Sequence, residues 1–267
     1  MEPPARMHRP PFIIFTDLDG TLLDHATYSH APADPCLAAL ARAGVPVILA
    51  SSKTAAEIAP LRDELGLSDH PAICENGAGL VPPGQAGEDV AGRYAELRAA
   101  LDRLPQALRR RFEGFGNMDV ARVAEVTGLS RDAAALARRR AFSEPGLLSG
   151  DGPERDAFLD ALAQEGLVAR EGGRFFTVSF GGTKADRMAE IGGSYGDPPS
   201  LALGDAPNDV EMIEAATRGA IVANPHRPPL PRLEGEAEGR ILRTARPGPE
   251  GWAEAVTHLA PDLGLKL

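Results

Sequence analysis

The chain predicts an α/β fold, a Rossmann-like parallel-sheet core interrupted by an inserted α+β cap domain. Three observations carry this. Apolar runs at 12–16, 45–50 and 72–74 alternate with helix-like stretches at 35–42 and 53–65, the order of parallel strands with helices on their faces. From Pro82-Pro83-Gly84 to Gly181-Gly182 the texture changes to helices and a hairpin. Beyond 182 the first pattern resumes.

The composition sets the class. There are 267 residues, 28 Lys+Arg against 38 Asp+Glu, and a formal net charge of −10. Hydrophobic residues make up 43% and aromatics 5%. An acidic chain this poor in aromatics excludes a nucleic-acid binder, which needs a basic face and stacking platforms. No run of about 18 apolar residues is present, so no membrane-spanning segment is expected. Cys36 and Cys74 form no CxxC, so neither a disulfide framework nor a cysteine zinc site is expected. Free thiols and no signal-peptide run point to a reducing, cytoplasmic location. Residues 1–11, with four prolines, read as a disordered leader.

The elements follow in order. FIIFT at 12–16 is a buried strand stopping at Asp17. The helix at 35–42 ends before Gly44, and that at 53–65 before Gly66. Pro46 is tolerable because it lies at the start of its strand. In the insert, Leu97, Leu101, Leu104 and Leu108 recur at helical spacing, broken by Pro105. Helices at 119–126 and 130–140 have cap candidates, and another spans 153–164. Residues 167–170 and 174–180 flank Gly172-Gly173 as a hairpin. A helix at 184–191, strands at 201–203 and 220–223, and helices at 208–216 and 251–259 complete the chain. The predicted core is 12–82 with 182–267, and the cap is 83–181.

The chemistry gathers at strand ends. Asp17-Leu18-Asp19-Gly20-Thr21 follows the first strand, where open α/β sheets place their ligands. Alternate residues point the same way, so Asp17 and Asp19 converge on one cation. An EF-hand starting at Asp17 fails, because Leu22 and Tyr28 stand where Gly and Glu are needed. Gly204-Asp205-Ala206-Pro207-Asn208-Asp209 has the same placement after a later strand. Two acid clusters at two strand ends point to Mg²⁺, which takes oxygen ligands and keeps room for phosphate. Ser51-Ser52-Lys53-Thr54 opens a helix with hydroxyls and a cation, an anion site. Lys184 starts another helix, and no P-loop surrounds it. Gly192-Gly193-Ser194-Tyr195-Gly196 fits the serine-hydrolase elbow in letters only, since a helix precedes it.

These pieces together resemble the haloacid dehalogenase superfamily of phosphotransferases. Asp17 to Thr21 looks like its first motif, Ser51 its second, Lys184 its third and Asp205 to Asp209 its fourth. Within it, DLDGTLLD at 17–24, SSKT at 51–54, Glu75-Asn76-Gly77 and Gly114-Phe115-Gly116-Asn117-Met118 resemble the mannosyl-3-phosphoglycerate phosphatase family. So do Thr127-Gly128-Leu129, Glu144-Pro145 and Gly172-Gly173-Arg174-Phe175. Ser52 and Asn117 depart from that pattern, which commonly has Gly and often Asp there.

The resemblance implies a C2-type cap and a phosphatase that releases phosphate from mannosyl- or glucosyl-3-phosphoglycerate. It implies Asp17 as nucleophile and Asp19 as general acid–base. Ser51 and Lys184 would bind the phosphoryl oxygens. Mg²⁺ would be held by Asp17, Asp19 through its backbone carbonyl, and Asp205, with Asp209 and Asn208 beside them. Ser52, Lys53, Asn76, Gly116, Asn117, Arg140, Arg174 and Asn208 are the candidates for the phosphorylated sugar. A generic sugar-phosphate phosphatase, or a binding protein without turnover, is the alternative.

Overall fold

The computed structural model describes residues 9–85, 92–172 and 175–266. Most of the expected leader and Arg174 lie outside the described residues. In chain order the strands are β1 (Ile13–Thr16), β2 (Val47–Leu49), β3 (Ala72–Cys74), β4 (Gly79–Val81), β5 (Phe112–Gly114), β6 (Ser143–Leu148), β7 (Val168–Gly172), β8 (Phe175–Ser179), β9 (Ser200–Gly204), β10 (Arg218–Ala223) and β11 (Ile241–Pro247). The helices are α1 (Asp34–Arg42), α2 (Ala55–Glu64), α3 (Arg93–Arg103), α4 (Gln106–Arg109), α5 (Val120–Thr127), α6 (Arg131–Ala137), α7 (Gly152–Gln164), α8 (Lys184–Ser194), α9 (Val210–Ala215), α10 (Glu234–Ala237) and α11 (Gly248–Leu259).

The chain divides into two compact units, 1–51 with 184–267, and 52–183. The first is built on a five-stranded parallel sheet in the order β11-β10-β9-β1-β2. β1 is flanked on both sides, Thr16 lying opposite Leu49 of β2 and Leu203 of β9. The chain leaves β1 in one direction and returns on its other side. That reversal is the switch point at which such sheets bind ligands, beyond the carboxyl ends of the strands. Burial on both faces explains the uninterrupted apolar run of β1, all of whose residues are buried. Trp252 of α11 is fully buried and donates Nε1–H to Thr16 Oγ1 at 3.0 Å, and Thr16 donates to the Asp17 carbonyl at 2.8 Å. The single tryptophan thus anchors the turn that carries the first acid pair. The elbow-like Gly192 to Gly196 sits at the end of α8, with no strand before it.

In the second unit, β5-β6-β8-β7 form an antiparallel sheet. Leu97, Leu101, Phe112, Phe158, Leu162 and Val178 pack one apolar cluster; Phe115, Met118, Val123 and Ala134 pack another. Asp119 and Ser130 cap α5 and α6, accepting from Arg122 N and Ala133 N. Thr54 and Glu57 form a reciprocal capping box that starts α2 at Ala55, two residues later than the sequence reading.

The division at 51/52 and 183/184 groups α2, β3 and β4 with the second unit, whereas the sequence reading closed the core at 82. Two contacts account for this. β3 pairs antiparallel with β4 instead of joining the parallel sheet, and Thr54 Oγ1 donates to the Leu136 carbonyl at 3.1 Å. β5 and β6 escaped the sequence reading because Gly114, Pro145 and Gly146 break the alternation that marks a strand. Gly114 is required by what it touches, since a Cβ there would lie 2.1 Å from Glu144 Oε1.

Candidate active site

The first unit brings Asp17, Asp205, Asp209 and Lys184 to one point on the sheet edge. Asp17 follows β1 and its N–H donates to the Leu203 carbonyl at 2.9 Å. Asp205 follows β9, and Asp209 closes the 3₁₀ turn Pro207–Asp209 before α9. Lys184, the first residue of α8, donates from Nζ to Asp17 Oδ1 and to Asp209 Oδ1, both at 2.7 Å. Its side chain is 1% exposed. A buried ammonium is tolerated there because two carboxylates share it. Asp209 Oδ2 accepts from Asp205 N at 3.1 Å and from Ala206 N at 3.0 Å, so it fixes the turn that presents Asp205.

Asp205 is held by Thr21 Oγ1, donating to Oδ1 at 3.1 Å, and by Asn224 Nδ2, donating to Oδ2 at 2.7 Å. Gly20 passes close by with φ +82, and a Cβ there would stand 2.6 Å from Asn224 Nδ2. That left-handed turn and close approach explain why glycine follows Asp19. Asn224 and Trp252 were missed from sequence, and Thr21 was read only as part of the first motif. Asn224 had a usable signal, since it directly follows β10 at the same sheet edge. Ser51, after β2, is buried, and Ala50 N donates to the Thr16 carbonyl at 2.8 Å, which sets Ser51 beside the Asp17 turn.

Electrostatics mark the cluster. Burial, helped by Asp209, pushes the Asp17 carboxyl up to about 7 against the pull of Lys184. Burial also raises Asp205, partly offset by Asn224. Burial alone would lower the Lys184 ammonium, yet Asp17 and Asp209 outweigh it and hold it above the usual lysine range. When ionised, the three carboxylates outnumber this one buried lysine. Oxygens of Asp17, Asp205 and Asp209 lie within 4.8 Å of one another. Hard oxygen donors with a deficit of positive charge fit Mg²⁺. The partly exposed Asp19 carboxylate is not part of this cluster. Asn208 is exposed on the turn before α9.

Ser52, Lys53, Asn76, Gly116, Asn117 and Arg140 lie in the second unit. The Arg140 side chain is 6% exposed. Its Nε lies 3.2 Å from Glu75 Oε2, near enough for an ion pair although not aligned for a hydrogen bond. Its Nη2 donates to Ser143 Oγ at 2.8 Å, and both Nη atoms reach the Ser52 carbonyl at 3.4 Å. Glu75 also accepts from Ala141 N, Phe142 N and Ser143 Oγ. This network fixes the left-handed run Glu75, Asn76 and Gly77, with φ of 51, 58 and 91. Arg140 therefore has a structural task. Arg140→Met is expected to cost about 2 kcal/mol in denaturant unfolding, the worth of hydrogen bonds to charged groups. Unchanged stability with a raised KM would return it to substrate binding.

Gly116 and Asn117, two candidates for the phosphorylated sugar, lie in the turn at 114–118. The Gly116 N–H is taken by Glu144 Oε1 at 2.9 Å. Glu144 is fully buried and also accepts from Tyr94 Oη and Arg98 Nη1, each at 2.5 Å. Burial, with Glu144 beside it, raises the Tyr94 hydroxyl above its ordinary range. Asn117 is exposed, and its Oδ1 accepts from Arg109 Nη2 at 3.1 Å. Ser52 is exposed and Lys53 and Asn76 are half-buried.

A model of the haloacid dehalogenase-like hydrolase family matches residues 14–100. Over nearly the whole chain, solved structures are similar. A phosphatase of the haloalkanoate superfamily from Bacteroides thetaiotaomicron is 18% identical with a TM-score of 0.66, covering 97% of this chain and 98% of its own. The sucrose-phosphatase of Synechocystis, solved with sucrose and phosphate, is 15% identical with a TM-score of 0.61, covering 94% and 98%. A subclass IIB sugar phosphatase of the same superfamily is 18% identical with a TM-score of 0.63, covering 93% and 99%. The chain thus matches the haloacid dehalogenase-like hydrolases over its first third and has the fold of that superfamily's phosphatases, cap included, along almost its full length.

Proposed function

We propose that the chain is a cytoplasmic, Mg²⁺-dependent phosphatase of phosphorylated sugars, with mannosyl- or glucosyl-3-phosphoglycerate as substrate. The observation that carries the reaction class is the buried Asp17–Lys184–Asp209 chain with Asp205 beside it. Two free cysteines and no described helix long and apolar enough to cross a membrane accord with the location.

Asp17 and Asp205, with the backbone carbonyl of Asp19, would hold Mg²⁺, and Asp209 supports them from behind, its oxygens already accepting from Lys184 and two amides. When bound, the ion offsets the repulsion between a carboxylate nucleophile and an anionic phosphate. Lys184 holds Asp17 Oδ1, leaving Oδ2 to attack phosphorus. The bond from phosphorus to the sugar-side oxygen breaks as Asp19 gives that oxygen its proton. An aspartyl-phosphate on Asp17 results. Asp19, now a base, takes a proton from water, whose oxygen attacks phosphorus; the bond from phosphorus to the Asp17 oxygen breaks, Asp17 returns to a carboxylate and inorganic phosphate leaves. Ser51 and Lys184 bind the transferring oxygens.

The glycosyl-phosphoglycerate substrate rests on the motifs of the second unit, 114–118 and 127–129 among them. A broader sugar-phosphate specificity is the second reading. It is supported by Arg140 and the Gly116 N–H, two of the candidates for the phosphorylated sugar, already pairing with Glu75 and Glu144. Phosphate release from a panel of glycosyl-3-phosphoglycerates, 3-phosphoglycerate and hexose phosphates decides between them. Strong preference for the first class upholds the narrow reading, and equal efficiency upholds the broad one. In EDTA, release is expected to fall at least about a hundredfold and to return with Mg²⁺, since a Lewis acid here is worth several kcal/mol. Full activity in chelator would overturn the reaction class.

A further inference from the structure

Asp205 has a third partner. Arg227 Nε lies 3.2 Å from Asp205 Oδ2, the oxygen that also accepts from Asn224. The two ends of this pair differ, since the Asp205 side chain is fully buried and that of Arg227 is 36% exposed. The loop is set in this posture from both sides. Asn224 Oδ1 accepts from His226 N at 2.9 Å, closing a tight turn just before Arg227. The His226 ring stacks on His25, with centroids 4.3 Å apart and planes inclined by 21°, which ties the loop to the segment after β1.

Charge assigns the two cations different tasks. Lys184 is buried and divided between Asp17 and Asp209. Arg227 pairs with Asp205 alone among the described residues and keeps its outer face toward water. When its acids are ionised, the cluster with both cations carries −3 + 2 = −1. Without Arg227 it carries −2. A divalent ion drawn to Asp205 must share that carboxylate with a fixed guanidinium and feel its repulsion at close range.

We infer that Arg227 is a resident counter-charge that competes with a divalent cation for Asp205 and so weakens and tunes the metal affinity of the site. This rests on the divalent-cation part of the proposed function and on no assumption about the sugar. Two effects of removing Arg227 oppose each other. Losing a donor loosens Asp205, whereas losing a positive charge strengthens its attraction for a cation. Thr21 and Asn224 still grip both Asp205 oxygens, so the electrostatic effect wins.

The test is Mn²⁺ binding to the full chain, followed by electron paramagnetic resonance and calorimetry, with circular dichroism to confirm folding. Arg227→Gln removes the charge at similar length and is expected to bind Mn²⁺ about tenfold more tightly, discounted for a half-exposed charge. Arg227→Lys keeps the charge and should stay within about twofold of the parent. Asp205→Asn should lose Mn²⁺ in either background. Equal or weaker binding by folded Arg227→Gln, with the parent binding normally, overturns the competition and makes Arg227 a support for Asp205. No Mn²⁺ binding by the parent overturns the metal reading itself, a separate and recognisable outcome.

Discussion

Asp17→Asn is expected to reduce turnover by ~10⁴-fold or more, because a nucleophile acting as part of a unit carries most of the rate. The amide keeps the shape and one oxygen for Lys184, so the fold should survive. A second readout separates lost chemistry from lost structure. Asp17 is held at about 7 in the folded chain, mainly by burial and by Asp209, against an ordinary value of 3.8. The folded, metal-free protein therefore binds this proton more tightly than the unfolded chain. That stability is full below the ordinary value and is lost as pH rises through about 7. Asn is neutral throughout. In EDTA at about pH 8 the variant should melt no lower than its parent, and the difference should shrink as pH falls below about 7 and vanish only below the ordinary value of 3.8, where Asp17 is protonated in the unfolded chain as well. Thermal melts at both pH values, alongside phosphate release with Mg²⁺, check this. Retention of more than a few per cent of activity would remove Asp17 from the nucleophile's role.

The core was legible because its chemistry lies at strand ends, where one observation about sequence order implies a place in space. Asp17 after an apolar run and Asp205 after another had to meet if the two strands were parallel neighbours, and β1 and β9 are. Lys184 was legible only in company. A lysine opening a helix is ordinarily solvated, and nothing local reveals that this one is 1% exposed between two acids.

What stayed hidden was set by long-range pairing. Glu75 and Glu144 look like surface acids, yet both are buried and satisfied by backbone N–H groups far along the chain. They pair with Arg140 and the Gly116 N–H, two residues that the resemblance implied for the substrate. Asn224 and Arg227 lie in a Pro-rich loop with no periodicity, so their approach to Asp205 follows from the order of β9 and β10 and not from spacing.

Lys184→Met should be the most damaging single change to both stability and activity. The substitution keeps an unbranched chain of similar length at the start of α8 but leaves Asp17 and Asp209 facing each other in a dry pocket. Breaking a buried pair by removing one partner costs about 3–5 kcal/mol, because the remaining charge cannot be solvated. Two carboxylates here would be left, so the loss should show as a large drop in the denaturation midpoint at about pH 8. The variant has one means of relief, which is to take up a proton between the acids. Its deficit should therefore shrink as pH falls toward about 5, opposite to the behaviour of a simple packing defect, which is indifferent to pH. Mg²⁺ should restore part of the stability at about pH 8 by replacing the missing charge, without restoring turnover, because a phosphoryl-binding group and the fixed position of Asp17 Oδ1 are gone. A Lys184→Met, Asp209→Asn double variant removes one of the two stranded acids while keeping an oxygen for Asp205 N or Ala206 N. It should recover a substantial part of the stability and none of the activity. Equal midpoints for the parent and Lys184→Met at about pH 8 would mean that the lysine's two 2.7 Å contacts carry no net stabilisation and that its place in the site is catalytic alone.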